Sequence, residues 1–414
     1  MWRFILTVCL LSWSCDGTTV TCKDEKDQAV DWYILYKGPR KGTSTVLTGL
    51  SYLYIDPEAT VKKMNQINNP RGPLANTLKP LFRSIRSMEP SFGFISYNDQ
   101  PPGANANVNK FGHSKGLLMV NKVDTGVWLL HSTPQFPYRR NQNQFWPPSG
   151  GEKGQIFMCV TFNYKDFKTI GTHLQQIRAF PFEHDIPNDF HQELKDAAEW
   201  KEITPPTTFP TLTSKGNQAF KVFSKQVSSD LEVGDLYFTI AKELRSDVYV
   251  QTWGCQWDES HAEAGQSVLN IDVVKNALGE WKPPADHSKW CVATDQNKHW
   301  TCVGDVNRGQ SQYLRFGGAL CVNNEKIQQK FLTFAKEHDI CPPCRKRRYP
   351  ECDPHAFSRM LLLLPTLRIA DFDTDFLNGT DTGVIIDYDT DFLNGTDAVA
   401  FTDTDTQQEP SLMG

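Results

Sequence analysis

The tripeptide His-Ser-Lys occurs at His113-Ser114-Lys115 and again at His287-Ser288-Lys289. If both copies serve one purpose, the chain must return to the same place after a long excursion. Two similar halves that face each other are therefore the expected plan. The surrounding stretches, "GHSKGLLMV" and "DHSKWCV", have the content of buried strands. On a strand, residues i and i+2 point to the same face, so each copy is expected to set an imidazole beside an ammonium.

Those residue types suit phosphate chemistry. Lysine offers a point charge to a phosphate oxygen, and histidine attacks phosphorus or moves a proton. Splitting a phosphodiester by two-step displacement needs a nucleophile, a separate general acid and positive charge on the non-bridging oxygens. Two facing His-x-Lys pairs supply all three. The lysines would do the neutralising work that a metal ion does elsewhere, so cleavage is expected to need no metal and no cofactor.

A second row repeats more faintly. His131 follows His113 by 18 residues, and Asp305 follows His287 by 18. Each ends a Trp-containing, strand-like run, "GVWLLHS" and "HWTCVGDV". The spacing reads as the trace of a duplication, with His131 and Asp305 flanking the phosphate. Taken alone, His131 reads equally well as a hydrogen-bonded core histidine.

The formal net charge of −5 argues at first against a nucleic-acid partner. The charge is uneven, however. From Ile369 onward there are 11 acidic residues and no Lys or Arg, so the body before it is net basic. A basic body suits a phosphate backbone, and in acid the 10 histidines add to it.

Residues 1–19, which open with "MWRFILTVCLLSWSCDG", read as a secretory signal peptide, the alternative being a buried first strand or helix. No later run approaches the roughly 20 apolar residues of a membrane span. Eleven cysteines agree with an oxidising compartment, and losing Cys9 and Cys15 with the leader leaves an odd number. Cys291, inside the second His-Ser-Lys stretch, is the expected free thiol. Cys22, Cys159, Cys255, Cys302, Cys321 and Cys341 fit bridges, and "CPPC" at Cys341 and Cys344 also fits a zinc pair.

Strand-like stretches ("DWYILYKGP", "GLSYLYID", "SFGFISYNDQPP", "QIFMCVTF", "DVYVQTW", "GALCV") alternate with helical ones ("LANTLKPLFRSIRSM", "NDFHQELKDAAEWKEI", "EKIQQKFLTFAKEHDI"). The expected class is mixed α/β, over a body of residues 20–345 with halves of about 20–200 and 201–345. Residues 346–414 differ in character. "RKRR" at Arg345 fits a processing site or a solvated charge cluster, and "TDFLNGTD" repeats at Thr374 and Thr390. The segment reads as disordered, and each repeat holds an Asn-Gly-Thr glycosylation acceptor, at Asn378 and Asn394.

The stretches "VDWYILYK", "YNDQPP", "GHSKGLL", "WLLHSTPQFP", "DHSKWCV" and "WTCVGDVNR" together resemble the deoxyribonuclease II family, from about Cys22 to Cys341. The resemblance implies a phospholipase D-like pseudo-twofold sandwich, each half a β-sheet flanked by helices. It implies metal-independent hydrolysis of double-stranded DNA at acid pH by a secreted or lysosomal enzyme, leaving 3′-phosphate ends. His113 and His287 would be the catalytic pair, nucleophile and general acid in that order, with Lys115 and Lys289 in support. His131 would be a further required histidine, and Asp305 and Asn307 supporting polar groups. The implied bridges are Cys22–Cys159, Cys302–Cys321 and Cys255–Cys341. The Asp that phospholipase D patterns place after Lys is missing, and the acidic repeats have no counterpart. Two other readings stay open: a non-catalytic, toxin-like DNA binder and a lipid phosphodiesterase. Monomer and homodimer fit equally.

Overall fold

A computed structural model describes residues 19–104, 106–253, 261–263 and 265–338. The leader, Cys255, Cys341, Cys344, the "RKRR" run, Asn378, Asn394 and the acidic repeats lie outside the described residues. The first half carries strands β1 (Cys22–Lys23), β2 (Ala29–Val30), β3 (Trp32–Lys37), β4 (Tyr52–Ile55), β5 (Val61–Met64), β6 (Phe92–Asn98), β7 (Lys115–Asn121), β8 (Thr125–His131), β9 (Gln155–Asn163) and β10 (Pro181–Asp185). The second carries β11 (Thr211–Thr213), β12 (Ala219–Ser224), β13 (Val248–Gln251), β14 (His261–Glu263), β15 (Gln266–Asn276), β16 (Gly279–Trp281), β17 (Trp290–Ala293), β18 (Trp300–Gly304), β19 (Gly318–Asn323) and β20 (Ala335–His338). Helices are α1 (Pro73–Leu78), α2 (Phe167–Gln176), α3 (Gln192–Ala198), α4 (Leu231–Gly234), α5 (Leu236–Leu244), α6 (Gln310–Tyr313) and α7 (Glu325–Phe334).

Apart from the β1–β2 hairpin, the strands form two large sheets. One runs β10-β6-β7-β8-β9-β3-β4-β5; the other runs β11-β12-β19-β18-β17-β13-β15-β14, with β16 and β20 paired to β15. Reading the second from β15 to β11 matches the first from β10 to β4 strand for strand, with β17 in the place of β7. One pair breaks the likeness: β13 lies parallel to β15, whereas β6 is antiparallel to β10.

The registers extend the match to single residues. With Lys115 set against Lys289, Gly116 pairs with Leu130 where Trp290 pairs with Val303. Ser132 therefore corresponds to Asp305. Ser132 donates its N–H to the Ile156 carbonyl, and Asp305 does the same to Gly318, at 3.1 and 2.9 Å. Ile156 pairs with Tyr36, and Gly318 with Ser224. Lys37 thus corresponds to Lys225, and Gly154 to Phe316.

Side-chain alternation along the strands builds three cores. Trp32, Ile34 and Tyr36 of β3 join Trp290 and Val292 of β17 in a central core with Ile170 of α2, Leu194 of α3 and Phe331 of α7. Tyr33 and Leu35 turn to the far face of the first sheet, against Leu74 and Leu78 of α1. Cys291 turns to the far face of the second, against Leu236 and Ile240 of α5. Both faces of each sheet are thus covered, which is why the strands read as nearly unbroken apolar runs. Each such side chain contributes about 1.5–3 kcal/mol by leaving water.

Cys22 is bridged to Cys159 and Cys302 to Cys321, and Cys291 is a free, buried thiol. Burial raises that thiol well above its usual range, so it is held inert. All three helix expectations overrun; α3 covers only Gln192–Ala198 of "NDFHQELKDAAEWKEI". α1 ends at Leu78, where the chain tightens into a short 3₁₀ segment containing Pro80, which has no N–H to continue an α-helix. α7 ends at Phe334, and the next four residues instead pair with β15.

Candidate active site

Both His-Ser-Lys copies stand at the mouths of strands rather than inside them. β7 begins at Lys115 and β17 at Trp290, so the expected placement of His and Lys on one strand face does not hold. The reason lies in where the backbone bonds go. The His113 N–H donates to the carbonyl of Phe316 in the second half, at 2.9 Å, and the His287 N–H donates to the carbonyl of Gly154 in the first half, at 2.9 Å. The two acceptors occupy matched positions, so each half holds the other's histidine. The approach is close enough to demand glycine. A Cβ on Gly112 would come within 2.1 Å of the Ile177 carbonyl, and one on Gly154 within 2.4 Å of the Asp286 carboxylate.

Around His113 the groups are ionic. Its Nδ1 meets Gln312 Oε1 at 3.0 Å, and its Nε2 lies 3.8 Å from Asp99 Oδ2. The same carboxylate takes Lys115 Nζ on one oxygen and Arg315 Nη2 on the other, the latter at 3.1 Å. All of these side chains are buried. Asp99 thus joins the two halves, since Arg315 belongs to the second.

Around His287 the groups are aromatic. Trp253 occupies the position that Asp99 has in the first half, and its ring meets the His287 ring edge-on at 4.7 Å. Asn307 Oδ1 holds Trp253 by its backbone N–H at 3.2 Å. The adjacent carboxylate is Asp286. It accepts from Tyr36 Oη at 2.7 Å, from Trp281 Nε1 at 2.6 Å and from the Ser288 N–H at 2.9 Å. Lys289 Nζ donates to the His287 carbonyl at 3.1 Å. His287 Nε2 is buried with no hydrogen-bond partner among the described residues.

Charge ties the two arms together. Burial is the largest reason that His113 is held well below the usual imidazole range, followed by Lys115, Arg315 and, from the other half, Lys289. Burial likewise holds His287 low, followed by Lys289, Lys153, Lys115 and Lys37. Each imidazole therefore sits in the field of both motif lysines, which disfavours its protonation.

The second row is present but shifted. His131 is the last residue of β8, in van der Waals contact with Phe136 and Phe157, and its Nδ1 accepts the Thr133 N–H at 3.2 Å. Burial, then Lys115, holds it well below the usual imidazole range. Its partner in the second half is Gly304, not Asp305. The equal spacing of 18 misleads because the β17–β18 hairpin is one residue shorter than β7–β8. Asp305 instead matches Ser132. Its Oδ2 accepts the Gly318 N–H at 2.9 Å, as Ser132 Oγ accepts the Ile156 N–H at 3.1 Å. Burial, opposed by that hydrogen bond and by Lys115 and Lys289, pushes the Asp305 carboxyl up to about 7.

The structure thus gathers His113, Lys115, His287, Lys289, His131 and Asp305 around one junction between the sheets, with Asn307 one step behind Trp253. Sequence reading missed Asp99, Gln312, Arg315, Lys153 and Trp253. Asp99 stands in "YNDQPP", at the end of β6 beside the motif strand; Gln312 and Arg315 carry no sequence signal. Chemically the assembly offers two buried imidazoles beside several buried cations, and it favours a bound anion over any cation. Among the described residues no cluster of His, Cys, Asp and Glu has the arrangement of a metal site.

Residues 21–341 match the family described as Deoxyribonuclease II. The chain is 34% identical to human "Deoxyribonuclease-2-beta" over 78% of this chain and 92% of that protein. It is 31% identical to "Plancitoxin-1" of Acanthaster planci over 78% and 92%. It is 32% identical to "Deoxyribonuclease-2-alpha" of Sus scrofa over 81% and 94%. Among solved structures, a yeast tyrosyl-DNA phosphodiesterase overlaps 51% of this chain and 67% of its own, at 9% identity and a TM-score of 0.28, too slight to carry an argument.

Proposed function

Since the chain belongs to the deoxyribonuclease II family, we propose that this deoxyribonuclease cleaves DNA at the junction where the two His-Ser-Lys arms meet. His113 is the nucleophile and His287 the general acid. The reciprocal bracing of the two histidines, each in the field of both lysines, is the observation that carries this reading.

Gln312 Oε1 can only accept, so His113 carries its proton on Nδ1 and presents a lone pair on Nε2. That nitrogen attacks phosphorus. The Nε2–P bond forms, the P–O5′ bond breaks, and O5′ takes a proton from His287 Nε2. Water then attacks phosphorus, giving a proton to His287 as its O–P bond forms, and the His113 Nε2–P bond breaks to free the histidine, which leaves a 3′-phosphate and a 5′-hydroxyl. Lys115 and Lys289 neutralise the non-bridging oxygens throughout.

Acid operation follows from the buried charge. Both imidazoles are held low by burial and by cations, so His287 gains its proton only in an acid medium or once the phosphate offsets the lysines. An acidic compartment, lysosomal or extracellular, suits that demand and the expected leader.

The test is plasmid cleavage by purified protein at about pH 5 in excess chelator, followed by end-group analysis. Cleavage leaving 3′-phosphate ends is expected. Collapse of activity in chelator, or ends carrying 5′-phosphate, would overturn the mechanism. The similarity to Plancitoxin-1 motivates a second reading, a toxin-like binder of DNA. On that reading wild-type protein and His287→Ala bind DNA alike and neither cleaves it.

A further inference from the structure

Two lysines outside the motifs are almost wholly buried: Lys37 at 0% and Lys225 at 1% exposure. They occupy matched positions in the two halves, Lys37 at the end of β3 and Lys225 one residue past β12. Neither has a carboxylate within ion-pairing distance among the described residues. Each points instead into the backbone of a loop. Lys37 Nζ donates to the carbonyls of Gly38 and Gly49, at 3.1 and 2.8 Å. Lys225 Nζ donates to the carbonyls of Gln226, Tyr313 and Arg315, at 3.2, 2.8 and 2.7 Å.

Those loops lead straight to the histidines. The segment held by Lys225 lies between Gln312, which binds the His113 ring, and Phe316, which binds its backbone. It also contains Arg315, which holds Asp99. The loop held by Lys37 packs on the segment leading to Gly154, which binds the His287 backbone. Gly49, at φ +82°, lies so close to Gly151 that a Cβ would come within 1.9 Å of its carbonyl, and the Arg40 N–H donates to the Glu152 carbonyl at 2.8 Å.

We infer that Lys37 and Lys225 are a matched pair of positioning residues, each fixing the loop through which one half holds the other half's reacting histidine. The inference rests on the assignment of His113 and His287 as the reacting pair. A lone pair of electrons on a carbonyl binds a charged ammonium more strongly than a neutral amine, so the clamp is firmest when the lysine is protonated. Burial brings both ammonium groups down to about 7. Asp286 and Glu152 oppose that shift at Lys37 and Arg40 adds to it; Asp235 opposes it at Lys225 and Arg315 adds to it. In acid both clamps are charged, and they weaken as pH rises through about 7.

The experiment compares the full chain with Lys37→Met and Lys225→Met, following DNA cleavage from about pH 4 to 8 with melting temperatures on the same samples. A displaced histidine costs chemistry rather than affinity, so kcat should fall on the order of 10-fold or more at pH 5 with KM for DNA nearly unchanged. The ratio of wild-type to variant kcat should shrink toward one above about pH 8. A ratio that stays constant with pH, or an unchanged kcat, would overturn the inference. Should either variant fail to fold, NMR of ¹³Cε-labelled lysine in the wild-type chain decides: two lysines titrating near pH 7 support it, and none doing so refutes it. His287→Ala separates the two levels. Full cleavage by that variant refutes the reaction reading, whereas an inactive His287→Ala beside unaltered lysine variants refutes only the pairing.

Discussion

The two arms of the junction share a backbone plan and differ in what surrounds the imidazole. At matched positions, His113 meets the carboxylate of Asp99 and His287 meets the indole of Trp253. Asp99 binds a lysine of its own half and an arginine of the other, so the first arm is a fixed ionic knot. In the second arm the adjacent carboxylate, Asp286, accepts from Tyr36, Trp281 and Ser288, and His287 Nε2 has no partner among the described residues. A matched frame thus holds one ring among ionic groups and leaves Nε2 of the other without a partner among the described residues. On the proposed mechanism these suit a nucleophile and a general acid.

Removing either imidazole tests that contrast most strongly. His113→Ala should lose more than about 10³-fold in DNA cleavage, and His287→Ala about 10²–10⁴-fold. A phosphodiester with a nitrophenolate leaving group, which needs no proton, should restore much of the activity of His287→Ala and none of His113→Ala. Rescue in the opposite order would exchange the two roles.

The neighbours come next. Asp99→Asn leaves Lys115 and Arg315 without their buried anion, a change that typically costs about 3–5 kcal/mol. A lower melting temperature and a kcat reduced on the order of 100-fold are expected together. Trp253→Leu removes a ring contact worth about 0.5–1.5 kcal/mol, so its kcat should drop by no more than about 10-fold. Equal losses at the two sites would erase the proposed division of labour.

Ser132 and Asp305 give a finer test through pH. The Asp305 carboxyl sits at about 7, so the folded chain keeps a proton there that the unfolded chain has lost. The stability this contributes is fully present below the ordinary carboxylate range and is lost as pH rises through about 7. Asp305→Asn should match wild type in melting temperature below about pH 4, the ordinary carboxylate range, and exceed it by a margin that grows until about pH 7. Ser132→Ala should shift melting equally at all pH values.

The smallest effect has the opposite sign. His113, His131 and His287 are all held well below the imidazole range, so their contribution is present above about 6.5 and lost as pH falls below it. Melting temperature should therefore decline on the acid side, and inorganic phosphate should recover more of it near pH 5 than near pH 8. Equal recovery at both would detach the anion from these rings.

Much of the frame was legible in the chain. The apolar runs at Trp32–Lys37, Lys115–Asn121 and Gln155–Asn163 became strands because sheets covered on both faces leave no polar alternation to obscure them. Pairing of Cys22 with Cys159 came from the family resemblance, not from spacing. The equivalence of His131 and Asp305 misled because equal sequence spacing ignores hairpin length. Asp99 escaped notice although it lies one residue past β6, since nothing local marks a carboxylate that will meet an arginine 216 positions later.

The sequence by itself determined the family and the residue types on offer: two imidazole–ammonium pairs, two half-folds and a basic body are written in residue types and their recurrence. Only the tertiary structure decided how the halves interlock, which carboxylate faces which histidine, and which cations lie buried between the sheets. Local pattern reports the face a side chain turns toward. The Phe316 carbonyl beside His113, Gly154 beside His287 and Arg315 across from Asp99 come from loops distant along the chain, and their fields act through space.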